Sequence, residues 1–423
     1  MIYVNDDYYG QHYFDDLYAT FSDHPVLGQC QGKRIAVCCS DPAYWLALCL
    51  YVKAQGGSLY PIYAQTPRLA AKRLADRAQC HYLLIESGEH CMVLTRQTID
   101  PSDNDVQPVL VQTSSGTTGE PKVITRSWEM IEKELTSYVV TFTQPNTMTP
   151  LIACPITHSY GLIAGVLVAL KRGLKPVIIS NINPKYLIKK LLTTEKPLLY
   201  SSPTLIQSVV KLYPSTARIH AVMTSGTVIP QEWFMALKTK TDHVFQQYGC
   251  SEVGCIAVNA DTQGADQLGY PLPHLIVEAG ESRDTPAEIK ITADGRSIHT
   301  HDLGYYNAQG VLCFVSRLDD TINVAGLHVY PKDVEDVVME LPEVSEAVIF
   351  KRHDSLAGDR VCLQFIASER LEPSRIRHWC STRLASFQLP VDIEQVEHIE
   401  KLANGKISRK ALAERGIAIP ALG

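Results

Sequence analysis

The apolar positions of residues 33–87, KRIAVCCSDPAYWLALCLYVKAQGGSLYPIYAQTPRLAAKRLADRAQCHYLLIES, change period several times. IAVCC is a short unbroken apolar run, and AYWLALCLYVKA carries apolar residues at helical spacing. Gly-Gly stops that helix before SLYPIY resumes as a strand. A second helical pattern and the run YLLI follow. This alternation predicts an α/β fold. It recurs at PLIACPITHSYGLIAGVLVALKRGLKPVIIS, at KYLIKKLLTTEKPLLYSSPTLIQSVVKLY and at IHAVMTSGTVIPQEWFMALKTKTDHVFQQYG. Several predicted strands end in polar, Gly-rich turns: TSSGTTG, TSGTVIP and QQYGCSE. In open α/β sheets, ligands collect at such carboxyl ends.

Beyond residue 265 the strands shorten and turn signals multiply, as in EIKITADGRSIHTHDLGYYNAQGVLCFVSRLDD, which predicts a β-rich subdomain. From the RLDD boundary onward, helix patterns at PKDVEDVVMELPE and SRIRHWCSTRLASF mix with strand patterns at EAVIFKRH and RVCLQFIAS. The expected organisation is a large N-terminal domain over 1–318, with layered α/β sheets, and a small α+β C-terminal domain over 319–423.

Composition narrows the function. Hydrophobic residues make up 45%, charged residues 20%, and the net charge is -6. With no strong basic field, nucleic acid is not an expected partner. The acidic start MIYVNDDYYGQHYFDD lacks the pattern of a signal peptide, and apolar runs such as GLIAGVLVAL are too short to span a bilayer. The expectation is a cytoplasmic enzyme, monomeric or homodimeric, without a membrane partner. Twelve cysteines are scattered with no C-x-x-C pair, a pattern of small buried apolar residues rather than of zinc or a disulfide framework.

The run TSSGTTGEPKVITRSW at 113–128 is rich in glycine and hydroxyls, unsuited to a helix interior or core strand, and is expected as a loop. Backbone N–H groups in such a loop can gather around an oxyanion, with Lys122 adding a charge. It fits neither the Walker A pattern nor, elsewhere in the chain, does YGCSEVG fit a nucleophile elbow. TSSGTTGEPK does resemble the phosphate loop of the adenylate-forming superfamily: acyl- and aryl-CoA ligases, peptide-synthetase adenylation domains and luciferases. In that family's order follow THSYGL at 157, TSGTVIP at 224, YGCSEVG at 248, HTHDLGYY at 299, SRLDDTINVAGLHVYPKDVE at 316 and NGKISRKAL at 404.

The resemblance implies ATP, Mg²⁺ and a C-terminal domain that moves as a lid. It assigns Thr113, Ser114, Ser115, Gly116, Thr117, Thr118, Gly119 and Lys122 to the ATP phosphates, with Thr117 also in the catalytic set. Ser225, Gly226, Tyr248, Gly249, Cys250 and Ser251 would line the nucleotide. Read alone, Glu252 is a solvated loop charge; by resemblance it holds Mg²⁺, a hard cation that takes its other oxygens from the phosphates. Asp302, otherwise a turn cap, would accept the ribose hydroxyls, and Arg317 would reach the nucleotide. Asp319 is implied as the hinge, and Gly326 as the close backbone approach along the thiol path. Lys406, by itself one more lysine on a basic tail, would swing in to neutralise charge between substrate carboxylate and α-phosphate, a role whose loss costs roughly 100- to 1000-fold.

His158, Ala164, Gly165, Thr227 and Cys250 are the implied acyl-pocket residues, with His158 near the reacting carboxylate. The helix after His158 has no Asp or Glu to pair an ammonium, which argues for an acid without an α-amine. The reaction implied is formation of an acyl-AMP from an aryl or short- to medium-chain acid, then transfer to the phosphopantetheine thiol of an acyl carrier protein or coenzyme A. Amino-acid adenylation and a catalytically silent ATP-binding module are the alternatives. The chain departs from the family in reaching its phosphate loop early, an abbreviation expected to affect a sheet edge. It also carries Asn323 where lysine is common, and VITRSW where the family shows a glycine and then Thr-His.

Overall fold

The computed structural model describes residues 1–85, 90–93, 107–114, 122–324, 327–354, 358–401 and 407–414. Among these, the α/β alternation read from the sequence builds three sheets. The first has the order His90–Val93, Tyr82–Ile85, Arg34–Cys38, Ser58–Ile62, Val109–Ser114 and Lys122–Ser127. The helix Pro42–Ala54 crosses from Arg34–Cys38 to its parallel neighbour. Its start is fixed by proline in the first turn and by Asp41, whose Oδ1 accepts the N–H groups of Ala43 at 2.8 Å and Tyr44 at 3.1 Å.

The polar run beginning at Thr113 is not all loop. Thr113 and Ser114 end one strand, and Lys122–Ser127 is a second strand antiparallel to it. After Lys122 the strand alternates, with Ile124 and Arg126 buried and Thr125 between them exposed. That period of two and its β-branched residues outweigh the polar composition. Ser127 then caps the helix Trp128–Thr141, its Oγ accepting the Met130 N–H at 3.1 Å.

The second sheet has a parallel half of Ile2–Val4, Val177–Ile178, Thr149–Ile152, Pro197–Ser201, Ile219–Thr224 and Thr241–Cys250. Every residue of Pro197–Ser201 is buried, as strands covered on both faces require. Beyond Thr241–Cys250 the sheet turns antiparallel through Gly254–Asn259, Gln267–Pro271, Leu312–Arg317, Arg296–Tyr306, Ala287–Ala293 and Ile276–Glu278. This is the β-rich region expected after residue 265. At the opposite edge Ile2–Val4 adds to the sheet, and Asp7–Tyr9 closes it with Asp6 paired to Lys190 at 2.5 Å. Charge at an edge discourages pairing with other chains. The largest core lies between the first two sheets, joining Ile35, Leu59 and Leu110 of one to Ile152, Leu198 and Phe245 of the other through Trp45, Tyr138 and Phe142.

The third sheet is C-terminal, built from Ile322–Val324, Leu327–Val329, Val344–Asp354, Gly358–Ala367 and Asp392–Gln395. Helices Pro331–Met339 and Pro373–Ser381 bury Val334, Val338, Ile376 and Cys380 against Ile349 and Phe365. The helical pattern over 374–387 stops at Ser381. The hydroxyls of Ser381 and Thr382 turn back to the His378 and Trp379 carbonyls at 2.8 and 2.9 Å, competing with helix continuation. Between this region and the rest, Arg283 pairs with Asp333 at 2.6 Å, and the Gln231 N–H reaches Asp336 Oδ1 at 3.2 Å. No helix among the described residues is long and apolar enough to cross a membrane.

Candidate active site

Parallel pairing sets the edge on which the site forms. Tyr200 pairs with Ile152, Ser201 with Thr224, and Thr224 with Gln246. The segments that follow these strands therefore leave the sheet at one edge, carrying His158, Ser225, Gly226, Thr227 and Glu252. The first sheet arrives there too, because the Gln112 amide donates to Ser159 Oγ and Gln112 immediately precedes Thr113.

The helical pattern after His158 opens with π-turns over Tyr160–Leu167 before becoming α-helical at Val168–Lys171. The Tyr160 hydroxyl donates to the Met223 carbonyl at 2.6 Å, tying this segment to the strand that ends at Thr224. Short π-helical segments recur at functional sites. Gly161 is needed there, since a Cβ would run into the Pro155 carbonyl oxygen. Ala164 is 2% exposed, and Gly165 packs on Ile152, where a Cβ would come within 3.0 Å of its side chain. His158 is exposed at the start of the segment.

Four strands beyond Thr241–Cys250 in the sheet order, Asp302 sits on Arg296–Tyr306 directly opposite Arg317 on Leu312–Arg317. Arg317 Nη1 lies 3.0 Å from Asp302 Oδ1, and the Tyr248 hydroxyl donates to Oδ2 at 2.6 Å. Thr300 Oγ accepts the Asp302 N–H at 3.1 Å and donates to the Ile289 carbonyl at 2.7 Å. Burial, then the Asp302 charge, pushes the Tyr248 phenol well above its ordinary value, so it stays a donor. A buried carboxylate, its charge offset by a half-exposed arginine, is thereby held at the rim of the edge where the loops gather.

Cys250 ends its strand, and the turn Ser251–Val253 leads into Gly254–Asn259. The pairing slips between Tyr248 and Gly249, where a Cβ on Gly249 would meet the Gly254 carbonyl oxygen. Burial, and then the neighbouring Glu252 carboxylate, pushes the Cys250 thiol up to about 12. It is a neutral thiol rather than a nucleophile. Among the described residues no cluster of three His, Cys, Asp or Glu side chains could hold a metal alone. Glu252, half-buried beside the Ser251 hydroxyl, fits a hard cation sharing its shell with phosphate oxygens. Asp319 lies in the turn after Arg317, whose carbonyl accepts the N–H groups of Asp320 at 3.1 Å and Thr321 at 3.0 Å. Ser115, Gly116, Thr117, Thr118, Gly119, Gly326 and Lys406 lie outside the described residues, as does the Ser114 side chain. Of the eleven described cysteines, all free, nine are buried.

The structure adds residues that pattern reading did not single out. Arg126 and Glu134 form an ion pair with side chains 1% and 3% exposed, behind the Cys250–Gly254 turn. Arg409, in the ISRKAL stretch, pairs with Asp320 at 3.0 Å and Glu335 at 2.7 Å. The only sequence signal for the first was a charged residue at an inward position of KVITRS.

Residues 26–288 match the model of the AMP-binding enzyme family, and residues 333–406 match the model of its C-terminal domain. A 3,4-dihydroxybenzoate–[aryl-carrier protein] ligase of Bacillus anthracis is 36% identical over 412 residues, 97% of this chain and 98% of the relative. A 2-succinylbenzoate–CoA ligase of Lactococcus lactis is 23% identical across 73% of this chain and 71% of its own. The fold is shared with the o-succinylbenzoate CoA synthetase of Bacillus subtilis in complex with an acyl-adenylate intermediate. There the TM-score is 0.81 at 18% identity, covering 97% of this chain and 94% of that one. The chain belongs to the AMP-binding enzyme family of ATP-dependent, adenylate-forming ligases.

Proposed function

We propose that this protein activates a hydroxylated aromatic acid without an α-amine, of the dihydroxybenzoate class, and transfers it to the phosphopantetheine thiol of an aryl carrier protein. The observation that carries this reading is 36% identity, over nearly the whole of both chains, to a ligase of that description. The absence of any acidic residue from Tyr160 to Lys171 supports it, since an amino-acid substrate needs a partner for its ammonium.

In the first half-reaction a carboxylate oxygen bonds to the α-phosphorus of ATP as the bond to the pyrophosphate oxygen breaks. Thr113 to Gly119 and Lys122 hold the departing pyrophosphate. Asp302, oriented by Tyr248 and Arg317, holds the ribose, and His158 faces the carboxylate. Lys406 supplies positive charge between the two anions. When bound at Glu252, Mg²⁺ offsets charge on the phosphates. In the second, the C-terminal domain turns about Asp319 and the pantetheine thiol enters past Gly326. The sulfur bonds to the acyl carbon and AMP leaves. The test is pyrophosphate exchange across hydroxybenzoates, unsubstituted benzoate, aliphatic acids and amino acids, followed by thioester formation with coenzyme A and with an aryl carrier protein. Exchange confined to amino acids, or none with any acid, overturns the substrate reading; thioester on coenzyme A alone overturns the acceptor.

A further inference from the structure

VITRSW, the stretch that departs from the family pattern, contributes the most deeply buried charge described in the large domain. Arg126 and Glu134 are both almost fully excluded from solvent, and Arg126 Nη2 donates to Glu134 Oε2. The other carboxylate oxygen, Glu134 Oε1, accepts the Cys255 N–H at 2.7 Å. The preceding residue, Gly254, has φ +90°, and a Cβ there would run into both the Arg126 guanidinium and the Glu134 carboxylate. So the pair touches the backbone at the point where the chain re-enters the sheet after Ser251 and Glu252, right after the register slip at Tyr248 and Gly249. Both charges are also anchored near the phosphate loop. Arg126 lies on the strand that begins with Lys122, and Glu134 lies on the helix capped by Ser127.

We propose that Arg126 and Glu134 are a positioning pair for the metal–nucleotide site: they set the Cys250–Gly254 turn, and with it Glu252, relative to the strand that leaves the phosphate loop. This rests on the reading of Glu252 as the metal ligand given above. The carboxylate fixes the Cys255 amide by hydrogen bond, while the guanidinium fills the space that glycine leaves. A turn held from behind in this way needs little rearrangement when a cation and triphosphate arrive. Groups that act on a metal through its ligand typically change affinity by about 10- to 100-fold.

The test measures binding rather than turnover. Mn²⁺ affinity is read by electron paramagnetic resonance with a saturating α,β-methylene analogue of ATP, together with hydrogen exchange of the Cys255 amide. Glu134→Ala is expected to weaken Mn²⁺ binding about tenfold and to speed exchange at Cys255. Glu134→Gln, which keeps an acceptor for that amide, is expected to recover most of the loss. The double variant Arg126→Met/Glu134→Gln leaves no lone buried charge and covers the case in which Glu134→Ala does not fold. Folded Glu134→Ala, or the double variant where Glu134→Ala does not fold, binding Mn²⁺ within twofold of the wild type would overturn the proposal. Wild-type protein that binds Mn²⁺ no better with the nucleotide than without it would instead sink the reading of Glu252 on which the proposal stands.

Discussion

Arg126, on a strand of the first sheet, and Arg409, at the start of the helix Arg409–Glu414, are held in different ways. Arg126 is 1% exposed and has one carboxylate partner, and its Nε and Nη1 find no hydrogen-bond partner among the described residues. Arg409 is 24% exposed and uses all three nitrogens, donating from Nε to the Ile349 carbonyl at 2.8 Å, from Nη1 to Asp320 and from Nη2 to Glu335. Burial would lower its pKa, but the Glu335 and Asp320 carboxylates raise it. The first arrangement is economical and depends wholly on Glu134. The second is redundant, and Glu335 Oε1 also accepts the Ile349 N–H at 2.8 Å. The large domain thus rests a buried charge on one partner, whereas the C-terminal unit spreads its hold over several groups.

Unfolding by denaturant tests this difference most directly. Glu134→Ala leaves a buried guanidinium uncompensated and is expected to cost about 3–5 kcal/mol. Arg409→Met, at a partly solvated position, is expected to cost no more than about half of that; equal losses would erase the distinction. The C-terminal unit should matter more to chemistry than to stability. Lys406→Ala is expected to slow adenylate formation roughly 100- to 1000-fold while leaving thioester formation from supplied acyl-AMP within a fewfold of wild type. Equal loss in both assays would remove that lysine from its proposed role. Tyr248→Phe keeps the ring and deletes one hydrogen bond to a charged group, worth about 1.5–3 kcal/mol. The expected readout is ATP affinity about tenfold weaker, with the affinity for the acid unchanged. Arg283→Ala removes a half-exposed pair with Asp333 and should shift stability by less than about 1 kcal/mol, measured by the same unfolding series.

The order of the elements and the site's outline were legible because both rest on local signals. Strand ends followed by glycine and hydroxyl residues marked the edge where His158, Ser225 and Glu252 leave the sheet, and HTHDLGYY held the carboxylate that Tyr248 and Arg317 now meet. What local patterning could not give was partnership across distance. Arg126 and Glu134 are only eight residues apart, yet the backbone they both crowd, at Gly254 and Cys255, lies more than a hundred residues on. The strand at Lys122–Ser127 was hidden by its composition, and the π-turns after Tyr160 by an apolar run that is equally compatible with an α-helix. Asp320 shows the same limit: the RLDD boundary was legible, but the pairing of Asp320 with Arg409 needed the fold.

The contacts between the C-terminal unit and the rest include Arg283 with Asp333 and the Gln231 amide with Asp336. Arg409, by contrast, binds Asp320, which lies on its own side of Asp319. A turn about Asp319 would therefore carry Arg409 and its carboxylate partners as one body and part the ionic contacts that bridge the joint. An ion pair of this exposure weakens as salt rises. Dissolved salt should thus act as a governor on the catalytic cycle, shifting the share of time the enzyme spends between its two half-reactions without touching either set of reacting atoms.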